Sequence, residues 1–512
     1  MKALSNDESR PEPGHAGHSG HRKLALGGVA VALAALASVA SVPSVGRADA
    51  PAATRAATPP IDPAKARAAL DRCADDVAKF KGRLGASVVS VDDGHELASR
   101  DGLLPMNPAS NAKIPTTVAA LAILGSEHRF STGLYGKVDA GRVAKLVLRG
   151  DGDPGLDTAD VDGLVRDLEV LGVKKVDAIL VDQSRFDDAY VPPAFDQQPD
   201  EWAPFRAPVA PVSLDRNTIT IWFTPAAEAG KPASITVDPP GFVDLEGSVS
   251  TSAKDKPEKV GLTVEPKDHR LVAHLSGSIP LGARPVPGIR RVDDPRLLAG
   301  YTLRAELARA GIQTGDEVAL GGEAEKHLLA SHRSTTVGEL LPRLGKDSDN
   351  FTAEMLFKAV GAKKKGSPKA DAAASAVEEI LRGRGAFDSG MKITNGSGLF
   401  DANRLTAHAI ATVLASGARD PAIGPELITQ LSIGGVDGTL RSRFEKWKDR
   451  RAIRAKTGTL ARSIALSGYV LGSDGRPVLA FSFLVEAEPG NAQAARKAID
   501  RAASSLADQV WR

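Results

Sequence analysis

The chain has 512 residues, of which 42% are hydrophobic and 25% are charged. This length exceeds what one core organises, so two or three domains are expected, and the composition excludes a largely disordered chain. The formal net charge is only +2, and no segment in the body of the chain concentrates Lys and Arg, which argues against nucleic acid as a partner.

The first 50 residues have the pattern of an export signal. Arg22 and Lys23 precede a long run of Ala, Leu and Val that ends at Arg47-Ala48-Asp49-Ala50, a small-x-small cleavage pattern. A basic start, an apolar centre and such a site predict a secretory signal peptide over residues 1–50. The alternative is an uncleaved anchor, since about 20 apolar residues can span a bilayer. The mature protein is therefore expected to be exported and periplasmic or otherwise extracytoplasmic.

Residues 51–62 have the composition of a Pro-rich linker. A helix is predicted to follow, with Asp62 as its N-cap and Pro63 in its first turn. The segment 84–102 predicts two strands joined by Asp-Asp-Gly. The segment 108–125, PASNAKIPTTVAALAILG, predicts a helix that ends at Gly125. Residues 51–117 are interpreted as the first part of a domain.

From residue 118 to 292 short alternating strands predominate, separated by Pro and Gly turns, which predicts one or two inserted β-rich domains. Helical patterns return in residues 293–512, the expected second part of the first domain. There a strand pair, SIALSGYVLG and RPVLAFSFLVEA, precedes an Ala-rich terminal helix. That helix is expected to pack on the sheet, although peripheral contact with a membrane or the cell wall is an alternative.

Ser110 and Lys113 form a Ser-x-x-Lys motif. On a helix these positions share one face, so Lys113 could reach the Ser110 hydroxyl. A lysine with a lowered pKa in a dry pocket can take the proton of a serine and make it a nucleophile. The motif alone is weak, and Ser389-Gly390-Met391-Lys392 repeats it in a stretch that favours a turn.

Two further tripeptides are ambiguous when each is taken alone. Ser348-Asp349-Asn350 starts a helical pattern and fits a plain N-cap. Lys456-Thr457-Gly458-Thr459 precedes an apolar strand; it could hold a substrate carboxylate against exposed backbone, or be a solvated strand end.

Ser-x-x-Lys, Ser-x-Asn and Lys-Thr-Gly, in this order, are the signature of penicillin-binding proteins and serine β-lactamases. A long insertion between the first and second motifs, here between Lys113 and Ser348, resembles the arrangement in peptidase family S13. This family comprises the class C low-molecular-mass penicillin-binding proteins. Further segments also resemble that family: LRGDGDPGL at 148–156, VDQSRFDD at 181–188, PVSLDRN at 211–217, NGSGLFDANRLT at 395–406 and GGVDGTLRSRF at 434–444. The resemblance covers nearly all of the mature chain.

The resemblance implies an α/β (α+β) fold, a transpeptidase-like domain with an antiparallel sheet flanked by helices, split by the β-rich insertion. It implies a serine D-Ala-D-Ala carboxypeptidase, also an endopeptidase, that acts on peptidoglycan stem peptides and binds β-lactam antibiotics. No cofactor and no metal are expected.

It also implies roles for individual residues. Ser110 would attack the substrate carbonyl and Lys113 would accept its proton. Ser348 would relay a proton to the leaving amine, and Asn350 would hold the substrate amide or Lys113. The terminal carboxylate would be bound at Lys456, Thr457, Gly458 and Thr459. Backbone N–H groups of Ser110 and Thr459 would form the oxyanion hole.

Two other functions fit the same motifs. A serine β-lactamase would share the constellation but deacylate fast, and a non-catalytic cell-wall-binding protein would keep the pocket without turnover. The large insertion disfavours the first and the three intact motifs disfavour the second. The string Gly150-Asp-Gly-Asp-Pro-Gly155 is interpreted as a structural turn, because its aspartates would repel a pyrophosphate. Ser397, in the Gly-rich loop, is a candidate for a supporting role.

Overall fold

Residues 61–511 are described by a computed structural model of the chain. The expected signal peptide over residues 1–50 and most of the linker lie outside these residues. The segment before the insertion forms two helices and two strands: α1 (Pro63–Ala78), β1 (Arg83–Ser90), β2 (Glu96–Arg100) and α2 (Lys113–Ile123). The predicted cap is confirmed, since the Asp62 carboxylate accepts a hydrogen bond from the Ala64 N–H, with Pro63 in the first turn.

The inserted region consists mainly of strands: it has thirteen strands and two α-helices. In chain order these elements are β3 (Arg129–Tyr135), β4 (Val138–Asp139), β5 (Arg142–Gly150), α3 (Thr158–Val170), β6 (Lys175–Asp182), β7 (Thr218–Thr224), β8 (Ser234–Asp238), β9 (Val243–Gly247), β10 (Ser250–Ser252), β11 (Lys259–Lys267), β12 (Arg270–Pro280), β13 (Val286–Arg291), α4 (Leu298–Arg309), β14 (Gln313–Leu320) and β15 (Leu328–Thr336).

The remainder of the chain is helical first and then returns to sheet. Its elements are α5 (Val337–Gly345), α6 (Asn350–Lys365), α7 (Ala370–Gly383), α8 (Ala407–Arg419), α9 (Gly424–Thr429), β16 (Ser432–Ile433), β17 (Ile453–Thr459), β18 (Ser463–Leu471), β19 (Pro477–Glu486) and α10 (Ala492–Val510). The predicted pair of strands near the end is β18 and β19, and it is antiparallel.

The central sheet unites both ends of the described chain. Its strands are all antiparallel and follow the order β16-β17-β18-β19-β1-β2. Side chains alternate across it: Phe481 and Phe483 on β19 pack with α1 and α10, whereas Ala480 and Leu484 pack with the helices α2 and α5–α8. Period-two alternation therefore buries both faces of the sheet. The predicted fold class is confirmed: an antiparallel sheet flanked by helices and interrupted by an insertion.

The inserted region has its own sheets and its own core. Its largest sheet has the order β14-β6-β5-β3-β15, and smaller sheets are formed by β7, β8 and β13 and by β9–β12. The expected boundaries do not follow this topology, because residue 117 lies within α2 and residue 292 precedes α4, β14 and β15, which pack with the inserted sheet. We propose that the inserted region spans residues 126–336.

One segment of the insertion is tied to α6 of the central domain. Lys358 of α6 is 4% exposed at its side chain and forms an ion pair with the Asp187 carboxylate. Its ammonium also donates to the Ala189 carbonyl at 2.8 Å. Beside this pair, Phe186 and Val209 join a small apolar cluster with two residues of α6. The insertion thus meets the helix that carries Asn350.

Candidate active site

The nucleophile candidate, Ser110, lies on a short 3-10 turn, Ala109–Ala112, which leads into α2 at Lys113. The sequence predicted a single helix here, and the structure corrects this: α2 begins only at Lys113. Ala109, next to Ser110, has a φ of +46°. A non-glycine residue in this region is strained and is typical of functional sites, where the surroundings hold it in place.

Ser110 and Lys113 are brought together as predicted. Lys113 Nζ lies 3.1 Å from Ser110 Oγ, 2.7 Å from Asn350 Oδ1 and 2.8 Å from the Ser397 carbonyl oxygen. A neutral amine has two N–H bonds, which these two carbonyl oxygens satisfy, and one lone pair. The lone pair is then left to face the Ser110 hydroxyl, the arrangement that a general base requires.

The environment of Lys113 favours its neutral form. The side chain is fully buried, and burial lowers its pKa to about 7, while the Glu354 and Asp349 carboxylates oppose this shift. Removing an ammonium from water destabilises the charged state, so the amine becomes available near neutral pH.

Ser348-Asp349-Asn350 serves both as a helix cap and as part of the site. The Asp349 carboxylate caps α6 and accepts hydrogen bonds from the N–H groups of Phe351 and Thr352. Ser348, immediately before it, has a φ of +59° and points its hydroxyl at a second lysine. Asn350 accepts from Lys113 through Oδ1 and donates through Nδ2 to the Phe205 carbonyl of the insertion at 2.9 Å.

Lys456 lies on β17, with its Nζ 2.8 Å from Ser348 Oγ and 3.0 Å from the Thr457 carbonyl oxygen. It is fully buried, so the alternative of a solvated strand end does not hold. Burial lowers its pKa well below the ordinary value, and the Lys113 ammonium adds to this effect.

The strand β17 presents its outer edge to the nucleophile. β16 pairs only with Arg454 and Ala455, so the edge beyond Ala455 faces the turn that carries Ser110. A Cβ added at Gly458 would stand 2.8 Å from Asn111 Nδ2 and 2.9 Å from the Pro108 carbonyl oxygen. Only a residue without a side chain lets strand and turn approach this closely.

A groove of about 860 Å³ opens over the site and includes Ser110, Ser348, Asn350 and Thr459 in its walls. The insertion contributes to one wall through Gln197, Gln198 and Phe205. The groove is therefore built from both parts of the central domain and from the insertion.

Sequence reasoning missed Glu354, a carboxylate on α6 that is 2% exposed. It accepts hydrogen bonds from the N–H groups of Gly396 (3.1 Å) and Ser397 (2.7 Å). The signal was available, since Asn350, Glu354 and Lys358 recur every four residues in the buried part of the helix. A repeated polar position on a buried face is unusual. Reasoning from motifs also missed Thr439, whose hydroxyl accepts from Thr457 Oγ1 at 2.9 Å.

The second Ser-x-x-Lys motif and the glycine-rich string 150–155 take no part in this site. Residues 388–391 form a turn with Gly390 at a φ of +78°, so Ser389 and Lys392 share no helical face. Asp153, from the string 150–155, is buried and accepts from the Gly155 N–H at 2.7 Å, as a structural turn requires. Ser397 is buried within the loop that contacts Lys113.

Within residues 61–511 no helix is long and apolar enough to cross a bilayer. The same residues contain no group of three or more His, Cys, Asp or Glu side chains placed to hold a metal ion.

A serine beside a buried lysine, a Ser-x-Asn segment and a Lys-Thr-Gly strand, all around one groove, define a serine acyl-transfer site of the penicillin-binding type. Residues 66–506 match the D-Ala-D-Ala carboxypeptidase 3 (S13) family, and the chain belongs to this family. The family assignment made from the sequence is therefore confirmed, and the chain is a serine peptidase.

Individual relatives agree with this assignment. The D-alanyl-D-alanine carboxypeptidase of Actinomadura sp. (strain R39) is 32% identical over 449 residues, which cover 83% of this chain and 81% of that protein. The D-alanyl-D-alanine carboxypeptidase DacB of Haemophilus influenzae is 25% identical over 408 residues, 78% of this chain and 85% of the relative. The crystal structure of penicillin binding protein 4 (dacB) from the same organism shares the fold, with a TM-score of 0.70 at 24% identity over 86% of this chain and 99% of that one.

Proposed function

We propose that this chain is a serine DD-carboxypeptidase that hydrolyses D-Ala-D-Ala ends of peptidoglycan stem peptides through an acyl-enzyme on Ser110. The observation that carries the proposal is the position of Lys113. Its Nζ lies 3.1 Å from Ser110 Oγ in a fully buried pocket, and its pKa is lowered to about 7. Family membership supports the substrate class, since the relatives in Actinomadura and Haemophilus are D-alanyl-D-alanine carboxypeptidases.

In the acylation step, Ser110 Oγ bonds to the carbonyl carbon of the penultimate D-alanine, and its proton passes to Lys113 Nζ. The negative charge on the carbonyl oxygen is stabilised by the backbone N–H groups of Ser110 and Thr459, each worth about 3 kcal/mol in such sites. Ser348 then relays the proton that Lys113 took up to the leaving nitrogen, which leaves Ser348 as a hydroxyl and Lys113 neutral; the C–N bond breaks and D-alanine leaves. Lys456, within hydrogen-bond distance of Ser348 Oγ, supports this transfer.

The substrate carboxylate would bind at the end of β17. Lys456 supplies a nearby positive charge or hydrogen-bond donor, and the Thr457 and Thr459 hydroxyls supply further donors. Gly458 keeps the strand close to the nucleophile, so the carboxylate and the reacting carbonyl can be bound together. Asn350 would hold the substrate amide or keep Lys113 in place.

Water completes the reaction. Its oxygen bonds to the acyl carbon while the neutral Lys113 takes its proton, the ester C–O bond breaks, and Lys113 passes that proton to Ser110 Oγ. If the leaving amine belongs to a neighbouring stem peptide, the same steps cut a cross-link, and the protein acts as a DD-endopeptidase. The open groove of about 860 Å³ supports this second substrate.

A β-lactam presents a strained amide and a carboxylate in nearly the same places as the peptide, so penicillin should acylate Ser110. A β-lactamase would turn over the acyl-enzyme quickly, whereas a DD-peptidase should retain it for minutes. We also propose that the protein acts outside the cytoplasm, where its substrate is assembled, and this agrees with the export signal predicted over residues 1–50.

The proposal is tested by incubating the purified protein with benzylpenicillin and mapping covalent adducts by mass spectrometry. We expect one adduct on Ser110 that persists for many minutes, and release of D-alanine from a stem-peptide substrate. Ser110→Ala should lose both, whereas the matched control Ser389→Ala, in the second Ser-x-x-Lys motif, should retain both. An unlabelled wild type that binds peptidoglycan without releasing D-alanine would favour the non-catalytic alternative.

A further inference from the structure

Helix α6 carries a buried carboxylate that the proposed mechanism does not use. Glu354 is 2% exposed and lies one turn after Asn350, on the same side of the helix. Its two oxygens are engaged separately: Oε2 accepts from the Gly396 N–H at 3.1 Å and Oε1 from the Ser397 N–H at 2.7 Å. Both N–H groups belong to the Gly-rich loop, residues 395–398.

This loop lies between Glu354 and the turn Ala109–Ala112, which carries Ser110. The Ser397 carbonyl oxygen accepts from Lys113 Nζ at 2.8 Å, and the Gly396 carbonyl oxygen accepts from Thr116 Oγ1 at 2.8 Å. Gly398, with a φ of +75°, packs so closely that an added Cβ would stand 1.9 Å from the Ala109 carbonyl oxygen. The loop therefore contacts α2 and the turn that carries Ser110 through its backbone.

The direction of the Lys113 lone pair depends on this contact. The neutral amine has two N–H bonds, one for Asn350 Oδ1 and one for the Ser397 carbonyl oxygen. If the Ser397 carbonyl moved, the amine would rotate, and its lone pair would no longer face Ser110 Oγ. What holds that carbonyl in place therefore also aims the general base.

We propose that Glu354 is a positioning residue for Lys113, which fixes the loop 395–398 through two backbone N–H groups and places a negative charge beside the lysine. The inference rests on the proposed function, because it assigns Lys113 the role of general base. One helix would then fix both hydrogen-bond acceptors of the amine. Asn350 is itself the first acceptor, and Glu354 holds the second, the Ser397 carbonyl, in place.

The charge of Glu354 has a separate effect from its geometry. The carboxylates of Glu354 and Asp349 both raise the pKa of Lys113 against the effect of burial. Lys456 is the other lysine of the site, and a charge on Lys113 lowers its pKa. Burial raises the pKa of Glu354 itself, while its N–H donors and Lys113 oppose that shift. Removing the charge from residue 354 should therefore lower the pKa of Lys113.

The decisive variant is Glu354→Gln, which keeps size but removes the charge. A glutamine has one carbonyl oxygen, so its NH₂ group would face one of the two N–H donors and release that side of the loop. We expect the maximal rate constant for acylation by benzylpenicillin to fall about 10- to 100-fold, the factor that corresponds to a lost hydrogen bond to a charged group. The concentration for half-maximal rate should change little, because the groove is intact.

The pH profile of the same rate constant separates positioning from a general loss of structure. In Glu354→Gln the acidic limb, set by Lys113, should move to lower pH. Glu354→Asp keeps the charge but shortens the side chain, so its rate constant should fall while its limb stays at the wild-type pH. The matched control is Glu306→Gln, which removes a buried glutamate of α4 in the inserted region and should leave rate constant and limb unchanged.

Thermal unfolding of each variant accompanies the kinetics. If Glu354→Gln does not fold, the test is the acylation rate constant of Glu354→Asp, which should fall below that of the wild type. The inference is overturned if the glutamine variant folds and acylates within threefold of the wild type, or if its acidic limb stays fixed or moves to higher pH. Failure of the wild type itself to form a Ser110 adduct would instead overturn the proposed function.

Discussion

The lowered pKa of Lys113 makes a quantitative prediction about acylation. A lysine with the ordinary pKa of 10.5 is neutral in about one of 3,000 molecules at pH 7. With a pKa of about 7, about half of the molecules carry the neutral amine. Burial therefore raises the amount of competent base at neutral pH by about a thousandfold.

The sign of the pH dependence follows from the role of the amine. Below pH 7 Lys113 is protonated and cannot accept the Ser110 proton, so the second-order rate constant for acylation by benzylpenicillin should fall tenfold for each pH unit. Above pH 7 the amine is neutral and the rate constant should level off. Stopped-flow measurements with a reporter β-lactam between pH 5 and 9 record this profile.

Replacing the base tests the same reasoning. Lys113→Ala should slow acylation at pH 7.5 by about 10²- to 10⁴-fold, the usual contribution of a positioned general base, and should abolish the acidic limb. The matched control is Lys392→Ala, in the second Ser-x-x-Lys motif, which should retain both. A wild-type profile that stays flat to pH 5, or a Lys113→Ala variant within tenfold of wild type, would refute the reasoning.

Three further variants test other parts of the site. Lys456→Ala should raise the β-lactam concentration for half-maximal acylation at least tenfold, because a donor beside the carboxylate is lost; unchanged concentration dependence would contradict this. Gly398→Ala should cost at least about 1–3 kcal/mol of unfolding free energy and abolish penicillin labelling, since its Cβ would overlap the Ala109 carbonyl oxygen; denaturant unfolding and labelling check both. Lys358→Met should cost about 3 kcal/mol by leaving Asp187 without its buried partner, and adding Asp187→Asn should recover part of this; strict additivity of the two changes would argue against the ion pair.

Several features could be predicted from the sequence because they depend on neighbours along the chain. Asp62 and Pro63 start a helix by satisfying its first N–H groups. Two apolar runs joined by Ser-Asp-Gly predict the strand pair β18 and β19, and the order of the three motifs predicts one shared site. These signals are local, or they are linked by a family pattern that gives the motifs in sequence order.

The structure alone decided which distant groups surround the lysines. Glu354 is 42 and 43 positions from the N–H groups it binds, and no local rule pairs a helix residue with a loop at that separation. We propose a later end of the insertion than the sequence suggested for the same reason, since β14 and β15 join β6 and β3 across more than a hundred residues. Hydrogen-bond partners and sheet pairing at such distances depend on how the packed elements meet.

The sequence by itself determined the chemistry available to this protein: two serines, two lysines and an asparagine in motifs that imply acyl transfer. Only the tertiary structure decided that this chemistry can work near neutral pH. Burial of Lys113 strips water from its ammonium and lowers its pKa, and the Asn350 and Ser397 oxygens take up its N–H bonds. A lysine becomes a base through its surroundings. Those surroundings come from four separate segments of the folded chain: the turn that carries Ser110, α6, the loop 395–398 and β17.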